Sequence, residues 1–150
     1  MTEPFDRWLA TVFNASSEPA TEAKVQSVEL RIGYRLPDEV RRVLVLGNRP
    51  EGFVGDSYIA FLNGEDLIQC WLDAQASAGG FVPFASNGGG EWYGLDSRQS
   101  SPAFLLMPAI GMEWEVAMFL GGTWNEFWNA LERGNLFAHR YQPAKNRSLP

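Results

Sequence analysis

One cysteine and one histidine are all that the 150 residues offer of the two most reactive side-chain types. Cys70 alone cannot form an internal disulfide or a cysteine-based zinc site. His139 alone excludes a His-cluster metal site, and a Ser-His-Asp or Cys-His arrangement would have to recruit it across the fold from a basic C-terminal segment. Long apolar runs are also missing: none approaches the roughly 20 residues of a membrane span. The opening MTEPFDRWLATVF has neither a basic n-region nor a continuous apolar h-region, so it does not read as a signal peptide. Cytoplasmic residence, with no membrane association and no cofactor or metal, is the expectation.

Basic residues are scarce where acids are dense. Residues 51–132 carry eleven acidic side chains against Arg98 alone, whereas residues 1–50 balance seven against seven. From Arg133 onward only Arg133, Arg140, Lys145 and Arg147 are charged. An acidic surface repels nucleic acid and steers basic partners toward itself. It also keeps a chain with six tryptophans and ten phenylalanines soluble. Both uses fit the charge.

What is present in quantity is aromatic and glycine-punctuated sequence, centred on Phe81–Asp96, FVPFASNGGGEWYGLD. Apolar runs on both sides of Asn87-Gly88-Gly89-Gly90 predict a β-hairpin. Pro83 cannot donate to a ladder, so its strand is an edge or is short and bulged. A phosphate cradle would need a Gly-Lys-Ser/Thr ending and a following helix, and neither is there.

Phe5, Trp8, Leu9, Val12 and Phe13 fall at amphipathic-helix spacing, with Thr2 and Pro4 suited to the start. A second helix fits Pro19 to Ile32, with Val25, Val28 and Ile32 on one face and Gly33 at its C-terminal stop. Leu36-Pro37-Asp38-Glu39 opens a third helix, which buries Val40, Val43 and Leu44 and ends near Gly47-Asn48. Arg49–Gly52 reads as loop. Ser57–Leu62, Ala103–Met107 and Trp114–Leu120 read as strands. Glu65–Leu72 is ambiguous, with one or two helical turns favoured. Thr123-x-x-Glu126 has the form of a capping box for a closing helix containing Phe127, Trp128 and Leu131. The expected fold is α+β, with helices on one face of a mostly antiparallel sheet. One domain spans 1–133, with a basic, weakly structured tail over 134–150.

Three stretches in order carry a resemblance. Val28-Glu29-x-x-Ile32-Gly33-Tyr34-Arg35-Leu36-Pro37-Asp38-Glu39-Val40 resembles the opening of the Smi1/Knr4 family, in the SUKH superfamily. Phe81–Ala85 through Gly88–Asp96 is similar to its central segment, and Val116–Leu120 through Phe127–Leu131 to its closing strand and helix. The resemblance covers residues 20–132. It implies an α+β domain with helices against a mixed sheet, and no catalytic motif. Bacterial members are commonly immunity proteins that bind and neutralise a toxin, often a nuclease; fungal members are regulatory scaffolds. The expected activity is therefore non-enzymatic: stoichiometric binding of a basic toxin domain, or scaffold-type binding of a cellular protein. A carboxylate-pair hydrolase is a third reading, though no spacing selects a pair. The expected partner-binding residues are Glu65, Asp66, Glu91, Trp92 and Asp96, which turns and strand ends would expose beside the central hairpin. A monomer or a weak homodimer fits equally.

Overall fold

Helix ends in this protein follow capping chemistry. The structure, a computed structural model, describes residues 3–12, 20–47 and 49–142. Among these residues five α-helices are formed: α1 (Glu3–Val12), α2 (Glu22–Ile32), α3 (Asp38–Leu46), α4 (Gly64–Ala74) and α5 (Trp124–Arg133). The hydroxyl of Thr21 accepts the Lys24 N–H at the start of α2, and Gly33 ends it at φ 69°. The αL region is open to glycine at little cost. α3 starts after Pro37 and stops at Gly47, φ 72°. Between the two helices the Glu29 carboxylate accepts the Leu36 N–H at 2.8 Å and Arg41 Nε at 2.9 Å, while Arg41 also reaches Glu22. That joint fixes the helical hairpin. Thr2, Phe13, Pro19 and Asn48 lie outside the described residues.

Among the described residues six strands pair in chain order, every neighbour antiparallel: β1 (Glu51–Val54), β2 (Ser57–Phe61), β3 (Phe81–Ser86), β4 (Glu91–Asp96), β5 (Phe104–Pro108) and β6 (Met118–Gly121). The mixed sheet implied by resemblance is thus an all-antiparallel one. In the central β3–β4 hairpin Phe81 faces Asp96 and Ser86 faces Trp92, with a register shift between Pro83 and Ala85. β3 is bulged rather than an edge. It accommodates Pro83 because β2 pairs only with Ala85 and Ser86 and so never calls on a Pro83 N–H. Asn87 closes the turn, its Oδ1 accepting from the N–H groups of Gly89 and Glu91. Gly94 answers a different need. A Cβ there would lie 2.5 Å from the Phe81 ring and from the Val82 carbonyl.

Four local expectations change. The supposed loop through Gly52 includes β1, whose four residues pair with β2 across a Gly55-Asp56 turn. Gly55, at φ 59°, sits against the Glu132 carbonyl, where a Cβ would be 2.4 Å away. α4 runs 11 residues rather than one or two turns, because Asn63 Oδ1 caps it through the Asp66 N–H. Trp114–Val116 is a single 3-10 turn, which shortens the last strand to Met118–Gly121. Thr123 caps α5 as expected, but the Glu126 carboxylate bonds the Gly122 N–H instead of the cap residue's own.

α1, α2, α3 and α5 pack on one face of the sheet, over a core that includes Phe5, Val25, Val40, Phe61, Phe84 and Phe127. A smaller cluster on the other face gathers Ala74, Phe81, Leu105, Met107, Ala117 and Tyr141. α4 serves both, Leu67 joining the first and Ala74 the second. The two sheet edges are engaged to different degrees. Trp8 Nε1 donates to the Phe53 carbonyl on β1, and residues 139–141 lie along β6 through Phe119 N–H to His139 O and Tyr141 N–H to Ala117 O. Covered edges are blunted against strand addition. The chain after Arg133 is therefore not weakly structured at its start: Leu136 and Tyr141 are buried, because both find apolar clusters to join. Residues 143–150 lie outside the described residues.

Gly94→Ala is expected to destabilise the domain by about 2 kcal/mol or more, since the Phe81 ring must move within a filled cluster. Gly122→Ala, where the nearest atom would be at 3.7 Å, is expected to fall well short of that in urea denaturation. Equal midpoints for the two variants would refute the close-approach reading of Gly94.

Candidate functional site

Asp96 ends β4 with no solvent exposure, so the exposed strand end on which its expected binding role depended does not exist. The Arg98 fork grips it in two places, Nε to Oδ1 at 2.9 Å and Nη2 to Oδ2 at 3.0 Å. The Arg98 N–H adds a bond to Oδ1, and the Tyr141 hydroxyl donates to Oδ2 at 2.7 Å. Burial pushes the Asp96 carboxyl up, but the Arg98 and Tyr141 hydrogen bonds outweigh it and hold the group below its ordinary value. The Arg98 guanidinium also lies 3.7 Å from the Trp114 ring centre, and Trp114 Nε1 donates to the Gly79 carbonyl. Asp96 is a structural node.

The remaining expected residues divide between places. Glu65 is exposed in the first turn of α4, and Asp66, half-buried beside it, pairs with Arg49 at 2.8 Å. Glu91 accepts from Asn87 Nδ2. It precedes Tyr93 by two residues and so falls on the helix-covered side of β4, since Tyr93 belongs to the main core. Trp92 falls on the opposite side, half-buried against the smaller cluster. Glu91 and Trp92 are consecutive but do not face the same surface.

The side of the sheet that carries Trp92 has a groove of about 240 Å³ between α4, β4 and the β5–β6 connection, lined by Cys70, Asp73, Ser77, Trp92, Ala109 and Met112. Ile110 stands almost fully exposed in the adjoining loop. A second hollow on the neighbouring strands includes Glu51, Ala60, Asp66 and Ser86. Ser86 is the ladder partner of Trp92, so hollow and groove adjoin. The expected short helix included Cys70 but stopped before Asp73, which the full α4 carries. The signal was Leu67, Cys70, Trp71 and Ala74 at helical spacing, one turn longer than assumed.

Ion pairing sharpens the charge asymmetry. Arg98, the sole base of residues 51–132, is committed to buried Asp96. Asp66 is served by Arg49 from outside that span. Among the described residues the other nine acids of the span make no ion pair. Glu65, Asp73, Glu113 and Glu115 are all exposed. Cys70 does not offer a thiolate at neutral pH: burial, then the carboxylates of Asp66 and Asp73, push its thiol up. Among the described residues no three His, Cys, Asp or Glu side chains come together as metal ligands, and no helix is long and apolar enough to cross a membrane.

The model of the SMI1/KNR4 family (SUKH-1) matches residues 19–132, well over half of the chain. No curated protein matches it. The matched span runs from just before α2 to the last turn of α5. Asp96, Arg98, Trp92 and Asp73 lie inside it, and Tyr141 lies beyond its end.

Because the folded-state pKa of Asp96 is depressed, its stabilisation is fully present above the unfolded value near pH 4 and is lost as pH falls through the folded value. Asp96→Asn should cost about 2 kcal/mol at pH 7, less than the roughly 3–5 kcal/mol of a fully buried pair because Arg98 is partly exposed. The gap between wild type and variant should narrow below about pH 4. Urea midpoints measured from pH 7 to pH 3 test this; a gap independent of pH would overturn the assignment.

Proposed function

The chain belongs to the SMI1/KNR4 family (SUKH-1), and on that premise we propose that it is a non-enzymatic immunity protein of the bacterial cytoplasm. It binds a basic toxin domain, of which a nuclease is one type, and neutralises it by stoichiometric contact. The observation that carries this reading is the surface of residues 51–132, where one cation among twelve charged groups is spent on a buried carboxylate. A domain with that surface attracts a protein whose own function requires cationic groups, as contact with nucleic acid does.

Long-range attraction raises the association rate and falls with salt. Short-range contact is left to the half-buried Trp92 and its apolar neighbours, since buried aromatics with an excluded-water rim carry most interface energy. Glu65 and Asp66 act in this scheme as steering charges around that contact, and Glu91 adds to the long-range field from the other side of the sheet. No bond is made or broken in the partner, so one molecule of this chain disposes of one molecule of toxin.

The test begins with the intact chain as bait in lysate of its own host and of competing strains, eluted with salt. A captured basic protein should arrest growth when expressed alone, and added domain should relieve its activity with an endpoint at one equivalent. Relief by a small fraction of an equivalent would indicate catalysis and sink the proposal; a captured partner without toxicity would favour the scaffold reading. The triple variant Glu65→Gln, Asp66→Asn, Glu91→Gln should associate about tenfold more slowly at low salt, and the difference should close at high salt.

A further inference from the structure

Twice in this fold a carboxylate and an indole come together on the side of the sheet away from the main core. In the first set the carboxylate is Asp96, the indole is Trp114, and Arg98 completes it by pairing with one and stacking on the other. In the second set Asp73 of α4 and Trp92 of β4 line one groove. Among the described residues no cation completes it, and Asp73 accepts only from Gln69 Nε2, at 3.1 Å.

We propose that this groove is the receptor for one arginine side chain of a protein partner. The guanidinium lies on the Trp92 ring and pairs with Asp73, while its aliphatic stem runs along Ala109 and Met112. The occupant follows from charge and shape. The groove's about 240 Å³ is smaller than the roughly 300–1,000 Å³ of small-molecule clefts. An anion is repelled by Asp73 and by exposed Glu113 nearby in sequence to Met112. Arginine is preferred to lysine because a planar, weakly hydrated guanidinium both stacks and pairs, whereas an ammonium holds its water. Trp92 needs no rearrangement, since its packing against the smaller cluster already holds part of the ring and leaves the rest open.

The biological use of the groove rests on the immunity reading above; its chemistry does not. The probe is therefore acetyl-Gly-Arg-Gly-amide, with the uncharged citrulline peptide as its isostere, titrated at fixed ionic strength into the intact chain. The readout is the Trp92 indole N–H resonance, assigned by its loss in Trp92→Phe. A saturable shift is expected with the arginine peptide, about tenfold weaker with citrulline, and about tenfold weaker in Asp73→Asn. Asp73 is exposed, so that variant should melt with the wild type. The indole of buried Trp124 should not respond. Equal response to the two peptides, or an Asp73→Asn variant that binds as well as wild type, would overturn the groove. A toxin complex indifferent to Asp73→Asn would also overturn it while leaving the immunity reading intact. A saturable arginine site on a chain that neutralises no toxin would support the groove and remove that reading.

Discussion

A carboxylate with no exposure to water is a liability unless every oxygen is occupied. At Asp96 both are, and the groups that occupy them come from separate parts of the chain. Arg98 turns the backbone out of β4; Tyr141 brings in the segment that covers β6; Trp114 lies on the guanidinium and reaches back to Gly79 before β3. The loop before β3 is tied in as well, since Ser97 donates both its N–H and its hydroxyl to the Gly80 carbonyl. One carboxylate thus sets the end of the central hairpin, the approach of the 3-10 turn and the closure of the last sheet edge. Loss of any single partner would leave a buried charge underpaired, so these pieces stand or fall together.

On the other face the constraint is steric. Phe5, Trp124 and Phe127 meet Phe61, Phe84 and Phe104 at ring-centre distances of 5.2 to 6.4 Å, mostly tilted or edge-on. Rings have few rotatable bonds and interlock, so a core built of them resists deformation. The hairpin that bears Trp92 on one side presses Tyr93 into Phe127 on the other. Backing of that kind holds Trp92 in place without a partner, and a preorganised contact residue loses little freedom on binding.

Much of the fold was legible because local chemistry and global fold agree. Gly33 and Gly47 stop helices where a positive φ is needed, Thr123 caps α5, and Asn87 closes the central turn. These signals act within four residues, the range over which sequence reports structure. What escaped depends on distant partners. β1 is too short and polar to announce itself, and forms because β2 offers it a register. Trp-Glu-Val at 114–116 has strand composition, yet the indole's contacts with Arg98 and Gly79 pull it into a 3-10 turn. Asp96 read as an exposed strand end because its hydroxyl partner is 45 residues away. Glu65, Asp66 and Trp92 do lie on accessible or half-accessible ground, but alternation along β4 sends Glu91 to the other side.

The distribution of cations follows the layers. Three of the helical half are engaged there: Arg41 with Glu22 and Glu29, Arg42 with Asp6 and over the Phe5 ring, Arg35 with Asp38. The Arg41 and Arg42 pairs neutralise charge where helices meet, and Arg49 at the border pairs with Asp66 of the strand half. The unpaired acids of residues 51–132 therefore repel one another across a surface of shared sign, which opposes folding and grows as salt is removed. Stability alone would favour a few lysines among them. A field kept at that expense, over a rigid hairpin with one half-open indole, fits a surface selected for what it meets. Steering by many dispersed charges sets how fast a cationic partner arrives. On the arginine-groove proposal, how long it stays depends on places where a carboxylate and a ring line one groove, as Asp73 and Trp92 do.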